Sequence, residues 1–257
     1  METIIVVGYP KSGNTWMARL VGELLQCPVR GFWGQPENPD VAIEGLDRES
    51  DYQVFKGHHL FDQIRNEIDL KHIIYVVRDV RDIVISASYY FELQPYDNWR
   101  RRLYQLPEIG KILDKYFIHI QRRKIQRMVE VVDAGNKDVP WCYWPWDVHI
   151  NPYLNNPDVL MVRFEDLLSQ PRIELIRVLN HLSIEPTPED QINEAIIRQS
   201  FDNVKARFLE KGDKRRLNFL RSGKSGNWKR DLSKRQKKFL LSRFGKELRE
   251  LRYINYP

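Results

Sequence analysis

A short β-branched run, followed by a glycine, a loop and a helical pattern, constrains the fold more than any other feature. Residues 3–7 read Thr-Ile-Ile-Val-Val and end at Gly8, which predicts a short buried strand. From Thr15 to about residue 26 apolar side chains recur at helical spacing, with Asn14 or Thr15 as the expected N-cap. Such a unit orients backbone N–H groups at the helix N-terminus, where the helix dipole favours a phosphate.

Further apolar runs alternate with helical patterns along the rest of the chain. Strands are predicted at 52–55, 72–77 and 159–164, and helices at 80–91, 108–132, 172–182, 188–199 and 234–248. Residues 28–51 are rich in Gly, Pro, Asn and Asp and predict a loop. The alternation predicts an α/β fold of P-loop type, with three layers and a central, mostly parallel sheet flanked by helices. Because no internal repeat or linker interrupts the sequence, we expect one domain over residues 1–257.

The composition is that of a globular protein. Of 257 residues, 42% are hydrophobic and 30% are charged, which argues against disorder and collagen. We expect a cytoplasmic protein without a membrane span, because no apolar run approaches about 20 residues and the first residues lack a positive n-region. The two cysteines have no metal-ligand spacing, and no metal site is expected.

The positive charge is concentrated in one segment. Residues 207–238 contain 13 Lys and Arg against 3 Asp and Glu, a balance of +10, whereas the whole chain is only +6. This concentration predicts an anionic partner. A solvated helical face and a nucleic-acid surface are the alternatives that charge alone leaves open.

The loop after the first predicted strand has the residues of a phosphate-binding loop. Residues 8–16 read Gly-Tyr-Pro-Lys-Ser-Gly-Asn-Thr-Trp. Against the Walker A pattern G-x-x-x-x-G-K-[ST], the two glycines and Thr15 fit, but Asn14 stands where lysine is expected and the cation is Lys11. Lys11 supplies positive charge, and Ser12 and Thr15 supply hydroxyl donors. An ordinary Gly-Pro-Ser loop is the alternative.

Residues 9–16 resemble the 5′-phosphosulfate loop of the cytosolic-type sulfotransferases, usually Y-P-K-S-G-T-T-W, with only Asn14 departing. These enzymes use 3′-phosphoadenosine 5′-phosphosulfate (PAPS). Arg78, Asp82 and Ser86 match the family's 3′-phosphate segment, R-x-x-x-D-x-x-x-S. Residues 221–229 resemble its R-K-G-x-x-G-D-W-K segment, with serine at 222 and asparagine at 227. The resemblance therefore runs through most of the chain and implies a single sulfotransferase-like domain.

The resemblance implies a set of donor-binding residues. They are Lys11, Ser12, Gly13, Asn14, Thr15, Trp16, Arg78, Ser86, Phe201, Arg221, Ser222 and Gly223. Phe201 resembles the family's adenine-contacting phenylalanine, and a core aromatic is the alternative. The resemblance further implies PAPS as co-substrate, PAP as product and no metal. It explains the basic segment by a bound anion, so nucleic acid is not expected as a partner.

A second resemblance concerns the general base. Residues 56–60, Lys-Gly-His-His-Leu, resemble the family's K-T-H-L-P, which carries the catalytic histidine. By position Lys56 and His58 match, and His59 stands where leucine is expected, so we favour His58 and keep His59 as the alternative. The resemblance implies in-line transfer, in which His58 takes a proton from a hydroxyl or amine and Lys11 stabilises the leaving 5′-phosphate. For His149 we favour packing over contact with the acceptor.

The acceptor is less constrained by the sequence. An aromatic segment at 141–153, together with Trp33, Tyr89 and Trp99, is expected to line a pocket for a small-molecule, lipid or glycan acceptor, and core packing is the alternative. The main enzymatic alternative is a P-loop ATP-dependent kinase of a small molecule or nucleotide. Asn14 in place of the Walker lysine and the second anion segment at 78–86 weigh against it.

Overall fold

The structure, a computed structural model, describes residues 1–35, 42–91, 110–185, 187–213, 217, 220 and 222–255. Within these residues five strands form one sheet: β1 (Glu2–Val7), β2 (Val29–Phe32), β3 (Tyr52–Gly57), β4 (Ile73–Val77) and β5 (Leu160–Arg163). Their order is β2-β3-β1-β4-β5, and all four strand pairs are parallel. The chain moves to one side of β1 and then to the other, so a topological switch point, where α/β proteins bind ligands, lies at the carboxyl end of β1.

Helices follow or separate the strands. They are α1 (Asn14–Leu24), α2 (Phe61–Ile64), α3 (Val80–Tyr90), α4 (Gly110–Ala134), α5 (Trp146–Leu154), α6 (Phe164–Ser169), α7 (Pro171–His181), α8 (Glu189–Arg198), α9 (Phe201–Glu210), α10 (Trp228–Asp231) and α11 (Lys234–Glu250). A 3₁₀ turn covers Leu70–His72. The α/β prediction with a central parallel sheet is confirmed.

One segment differs from its prediction. Residues 28–51 were expected to form a loop, but they contain β2, an edge strand in which Val29 and Phe32 are buried. The strand has only four residues, its register shifts between Val29 and Phe32, and Gly31 has a φ of 93°. Such a short, irregular strand lacks the alternating pattern that identifies strands in a sequence.

The contacts divide the chain into two compact units. The first comprises Met1–Arg78 and His149–Lys224, and the second comprises Asp79–Val148 and Ser225–Pro257. The first unit contains the whole sheet with α1, α2 and α6 to α9. The second contains α3, α4, α10 and α11. The prediction of a single domain over residues 1–257 stays a prediction.

In the first unit, helix α1 packs against the central strands. Ile4 and Val6 of β1 and Leu20 and Leu24 of α1 have no exposed surface and share one core cluster. All five residues of β4 are buried as well, which is typical of a strand covered on both faces. This packing places the N-terminus of α1 beside the carboxyl end of β1.

In the second unit, helices pack on one another. Trp146 has no exposed surface and contacts Phe244 of α11 in a T-shaped arrangement, with the ring centroids 5.2 Å apart. Arg243 of α11 donates to Asp133 of α4 at 2.8 Å and to Asp147 at 2.8 and 3.1 Å, which links the helices by charge. Among the described residues, no helix has both the length and the apolar character needed to cross a bilayer.

Candidate active site

The loop between β1 and α1 ends in a left-handed glycine. Gly13, with φ of 112°, is the N-cap of α1, so the prediction that Asn14 or Thr15 caps the helix was wrong. A Cβ at Gly13 would lie 2.7 Å from a ring carbon of Phe164, which leaves room only for glycine. The first N–H groups of a helix have no partner inside the helix, so this geometry offers an anion site beside the half-buried Lys11.

Ser12 adds a second indication of a ligand at this loop. Its side chain is buried, and its hydroxyl has no hydrogen-bond partner among the residues that the structure describes. A buried hydroxyl without a partner is costly, because desolvation is not offset. A bound anion at the loop would provide the missing acceptor.

His58, directly after β3, is hydrogen-bonded to the same loop. Its Nδ1 lies 2.7 Å from the Gly8 carbonyl oxygen, which can only accept, so Nδ1 carries the proton and Nε2 the lone pair. Burial, with a smaller contribution from the Lys56 charge, holds the pKa of His58 well below its usual range. The imidazole is therefore neutral near pH 7, in the tautomer that accepts a proton at Nε2.

Lys56 brings a buried positive charge to the first turn of α1. Its ammonium donates to the Thr15 hydroxyl at 3.0 Å and lies 4.3 Å from the centroid of the Phe32 ring. Thr15 is therefore turned toward β3. The contact joins the two segments in which the sequence predicted the loop and the base.

His149 supports His58 from the backbone side. Its Nε2 donates to the His58 carbonyl at 3.1 Å, so its Nδ1 accepts the hydroxyl hydrogen of Tyr75 at 2.8 Å. His149 is buried, and burial lowers its pKa to about 4. The hydrogen bonds explain why a histidine, rather than an apolar residue, occupies this packed position.

His59 has different surroundings from His58. Its ring lies over Gly57, where a Cβ would be 2.5 Å from Nδ1, and its backbone carbonyl accepts from the Tyr153 hydroxyl at 2.8 Å. Nδ1 of His59 is buried and has no partner among the described residues.

Arg78, directly after β4, joins two of the three predicted segments. Its guanidinium donates to the Lys11 carbonyl at 3.1 Å and to the Lys224 carbonyl at 3.0 Å. The same group lies 4.3 Å from the centroid of the Phe164 ring. The structure therefore brings the first loop and the Lys224 loop together at the carboxyl end of β4.

Two aromatic donor-site candidates also lie in the first unit. Trp16 donates from Nε1 to the Gln199 carbonyl at 2.8 Å, and its ring meets Phe164 edge-on at 5.8 Å. Phe201, the first residue of α9, packs against Gly223, where a Cβ would lie 2.6 Å from its ring. The close approach leaves no room for a side chain at position 223.

The remaining predicted donor-site residues fall in other places. Ser222 is half-buried, and Arg221 lies outside the described residues. Ser86 is buried on α3 in the second unit. Where the structure is described, no group of three or more His, Cys, Asp or Glu side chains is arranged to hold a metal ion. That no metal is needed stays a prediction.

Asp82 has a role that the sequence did not reveal. In the second unit its carboxylate accepts from the N–H groups of Gly226 at 2.5 Å and Trp228 at 3.2 Å. The guanidinium of Arg81 lies 3.8 Å from the Trp228 ring centroid and pairs with Asp79 at 2.7 Å. In the sequence, only the match of Asp82 to the motif marked this residue. Its two hydrogen-bond partners could not be predicted, because they lie about 145 residues away in the chain.

The aromatic segment at 141–153 does not share one surface. Trp146 and Tyr153 have no exposed area, so core packing, the alternative, describes both. Tyr143 and Trp144 are about half exposed. Trp99, also expected at the acceptor pocket, lies outside the described residues.

The fold is a parallel α/β sheet with the loop between β1 and α1 at its switch point, and comparison with known proteins gives the family. The family model described as "Sulfotransferase domain" matches residues 1–252, and the chain belongs to this family. This membership confirms the predicted enzyme class, a sulfotransferase.

Individual relatives are distant. Mouse sulfotransferase 1 family member D1 is 22% identical over 255 residues, covering 89% of this chain and 77% of the relative. The crystal structure of mouse sulfotransferase SULT7A1 complexed with PAP superimposes with a TM-score of 0.66 at 19% identity, covering 96% of this chain and 85% of that one. The structure of retinol dehydratase in complex with androsterone and PAP superimposes with a TM-score of 0.62 at 16% identity, covering 99% of this chain and 82% of that one.

Proposed function

We propose that this protein transfers the sulfuryl group of PAPS to a hydroxyl or amine of an acceptor and releases PAP. The observation that carries the proposal is the arrangement at the strand ends, where Arg78 and His58 both bond to the first loop. Family membership supports it, as do two structural neighbours that were solved in complex with PAP.

The donor-binding residues are proposed in three groups. Lys11, Ser12 and the N–H groups of residues 13–16 bind the sulfate and 5′-phosphate, because a helix N-terminus and a cation favour anionic oxygens. In the first unit, Arg78, Ser222 and Gly223 are proposed to bind the 3′-phosphate. Ser86 and Arg221 are added to this group from the family resemblance alone. Trp16 and Phe201 contact the adenine. The fit rests on the Ser12 hydroxyl, which has no partner among the described residues, and on the Arg78 guanidinium, which donates to two loops.

His58 is the proposed base, and PAPS supplies the sulfuryl group. The acceptor proton passes to Nε2 of His58 as the acceptor oxygen or nitrogen bonds to sulfur. The bond between sulfur and the oxygen of the 5′-phosphate breaks in the same step, and Lys11 offsets the charge on the leaving phosphate. The neutral Nδ1–H tautomer set by Gly8 prepares His58 for this role.

We propose His58 rather than His59 because the His58 ring is hydrogen-bonded to the loop between β1 and α1. Nδ1 of His58 donates to the Gly8 carbonyl of that loop, whereas the backbone carbonyl of His59 accepts from the Tyr153 hydroxyl, on α5. A base must reach the proton that it removes, and that proton lies beside the transferred group.

The proposed acceptor is a small molecule with a hydroxyl or amine. Retinol dehydratase has been solved with androsterone and with retinol, both apolar alcohols. The proposal also includes lipid and glycan acceptors. It includes neither nucleic acid as a partner nor a membrane-spanning segment. We also propose a single catalytic domain over residues 1–257 and, from the resemblance to the cytosolic-type enzymes, a cytoplasmic location.

An ATP-dependent kinase is the second candidate, and Asn14 disfavours it. Asn14 stands where the Walker A pattern has a lysine, and its side chain is uncharged. Its amide donates to the Gly8 and Gly57 carbonyls and therefore does not replace that lysine at a nucleotide phosphate. Calorimetry with PAP and with ADP plus Mg²⁺ compares the two functions. We expect PAP to bind at least about tenfold more tightly, about 1.4 kcal/mol. Equal affinities would favour the kinase.

Labelled-sulfate transfer to an acceptor library then tests the roles. We expect His58→Ala to lower turnover by about 10²–10⁴-fold while PAP affinity stays within about twofold, as for loss of a general base. Lys11→Ala should lower both turnover and PAP affinity. His72→Ala, at the opposite end of β4, is the matched control. Near-normal turnover by His58→Ala, with a large loss in His59→Ala, would assign the base to His59.

A further inference from the structure

The ladder between β1 and β3 continues past the ends of the strands through a side chain. The last backbone pair is Val7 with Gly57. Just beyond it, Nδ2 of Asn14 donates to the Gly8 carbonyl at 2.9 Å and to the Gly57 carbonyl at 3.0 Å. The amide has two hydrogens, and each meets one carbonyl. The opposite amide orientation would place Oδ1 against two carbonyl oxygens, so the two contacts fix the orientation.

His58 shares one of these carbonyls with Asn14. The Gly8 oxygen has two lone pairs and accepts from His58 Nδ1 at 2.7 Å as well as from Asn14. Nδ2 of Asn14 lies 3.2 Å from Nδ1 of His58. Because both nitrogens carry hydrogens directed at carbonyl oxygens, this third contact is packing. The imidazole edge is therefore confined between the Gly8 carbonyl and the Asn14 amide.

Position 14 is where the chain departs from the family's usual loop, which has threonine. A threonine has one hydroxyl hydrogen, so it cannot donate to both Gly8 and Gly57. Asn14 is also buried, so its amide is not exchanging these partners for water. The substitution therefore adds a connection between the phosphate loop and the segment that carries the base.

We propose that Asn14 is a positioning residue for His58: its amide spans the Gly8 and Gly57 carbonyls and holds the imidazole with Nδ1 protonated and Nε2 directed to the acceptor. This role rests on the proposed function, in which His58 is the base. It differs from the donor contact that the resemblance assigns to Asn14, because the side chain is committed to the ends of β1 and β3. The charged or titratable neighbours that act on His58 are Lys56, His59 and His149.

The test uses Asn14→Asp, which keeps the shape and replaces an N–H by a carboxylate oxygen. That oxygen would lie near the 3.2 Å now measured to Nδ1 of His58, and a negative neighbour favours the protonated imidazole. We expect the pKa of His58 to rise by about one pH unit or more, a tenfold change in its protonation equilibrium. The readout is the ¹H–¹⁵N spectrum of the histidine side chains. The signals of His58 are assigned as those that disappear in the His58→Gln variant.

Two further variants keep the test decisive. Asn180→Asp makes the same charge change at an exposed position on α7 and should leave the pKa of His58 within about 0.2 pH unit. If Asn14→Asp does not fold, Asn14→Thr restores the family's residue and removes one of the two carbonyl contacts. In Asn14→Thr we expect the Nδ1–H signal of His58 to broaden or split. Turnover should fall about tenfold while PAP affinity changes less than about twofold.

The outcomes separate the alternatives. An unchanged His58 spectrum in Asn14→Asp, or in Asn14→Thr where Asp does not fold, overturns the positioning role. A loss confined to PAP affinity would also overturn it, because Asn14 would then be a donor ligand. The spectra require no sulfate transfer, so a protein that shows the expected changes but transfers no sulfate would contradict the proposed function and leave the positioning role intact.

Discussion

Replacing Gly13 by alanine tests how the phosphate loop is held. Two costs arise at this position. Gly13 has a φ of 112°, which residues with a Cβ rarely adopt, and left-handed backbone costs such residues about 1–2 kcal/mol. The added Cβ would also lie 2.7 Å from the Phe164 ring, and overpacking of this kind costs about 1–3 kcal/mol. We expect Gly13→Ala to destabilise the protein by about 2–5 kcal/mol.

The chain offers a control that separates the two costs. Gly212 has a φ of 62°, and a Cβ there would have nothing within 4 Å, so Gly212→Ala should show the backbone cost alone. At about 2 °C per kcal/mol for a chain of this size, we expect the melting temperature to fall by about 4–10 °C for Gly13→Ala and about 2–4 °C for Gly212→Ala. Thermal unfolding followed by circular dichroism provides the measurement.

A second background isolates the contact with the ring. In a Phe164→Leu protein the alanine Cβ meets fewer atoms, so Gly13→Ala should cost less there than in the wild type, leaving mainly the backbone cost. PAP affinity should fall in Gly13→Ala and not in Gly212→Ala. Equal melting temperatures for the two glycine variants, or an unchanged cost in the Phe164→Leu background, would refute the claim that the ring enforces glycine at position 13.

Two further predictions concern buried hydrogen bonds. Burial lowers the pKa of His149 to about 4, so the unfolded chain binds its proton more readily, and stability is lost as the pH falls from about 6.5 toward 4. His149→Gln should remove up to about 3 kcal/mol of this pH dependence in urea unfolding at pH 7 and pH 4, and an equal slope in both proteins would contradict it. Asp82→Asn leaves one acceptor oxygen for the N–H groups of Gly226 and Trp228, a loss of about 1–3 kcal/mol. We expect amide exchange at Gly226 to quicken at least about tenfold, with Asp138→Asn as the exposed control.

The central strands could be predicted because burial on both faces makes them continuous apolar runs. β1 and β4 consist mainly of β-branched residues, and their observed bounds lie within one residue of the predicted ones. β2 lacked this signal, since it is a four-residue edge strand with Gly31 in its interior. Local pattern therefore identified the strands that bury both faces and missed the one whose pairing depends on β3.

The cap of α1 shows why the site's detail was out of reach. Asn14 and Thr15 are residue types that cap helices, yet neither caps α1. The Asn14 amide is held by the Gly8 and Gly57 carbonyls, and the Thr15 hydroxyl accepts from Lys56. Two of these partners lie on β3, about 40 residues further along the chain. Helix-capping propensities are local. They cannot predict that residues of β3, which only the fold brings near, bind the side chains that would otherwise cap the helix.

Hydrogen bonds from side chains to backbone carbonyls also explain how the site can be built on a sequence so distant from its relatives. Side chains of Asn14, Arg78 and His149 hold the loops together by donating to backbone carbonyls, and any residue type supplies a carbonyl. His58 follows β3 and Arg78 follows β4, so the fixed register of buried parallel strands sets the spacing of these two groups. The restricted positions are therefore the donors, and residues that contribute only a carbonyl, such as Lys224, are free to vary. Lys224→Ala should accordingly preserve the Arg78 contact that a Lys224→Pro change, by altering the backbone, would disturb.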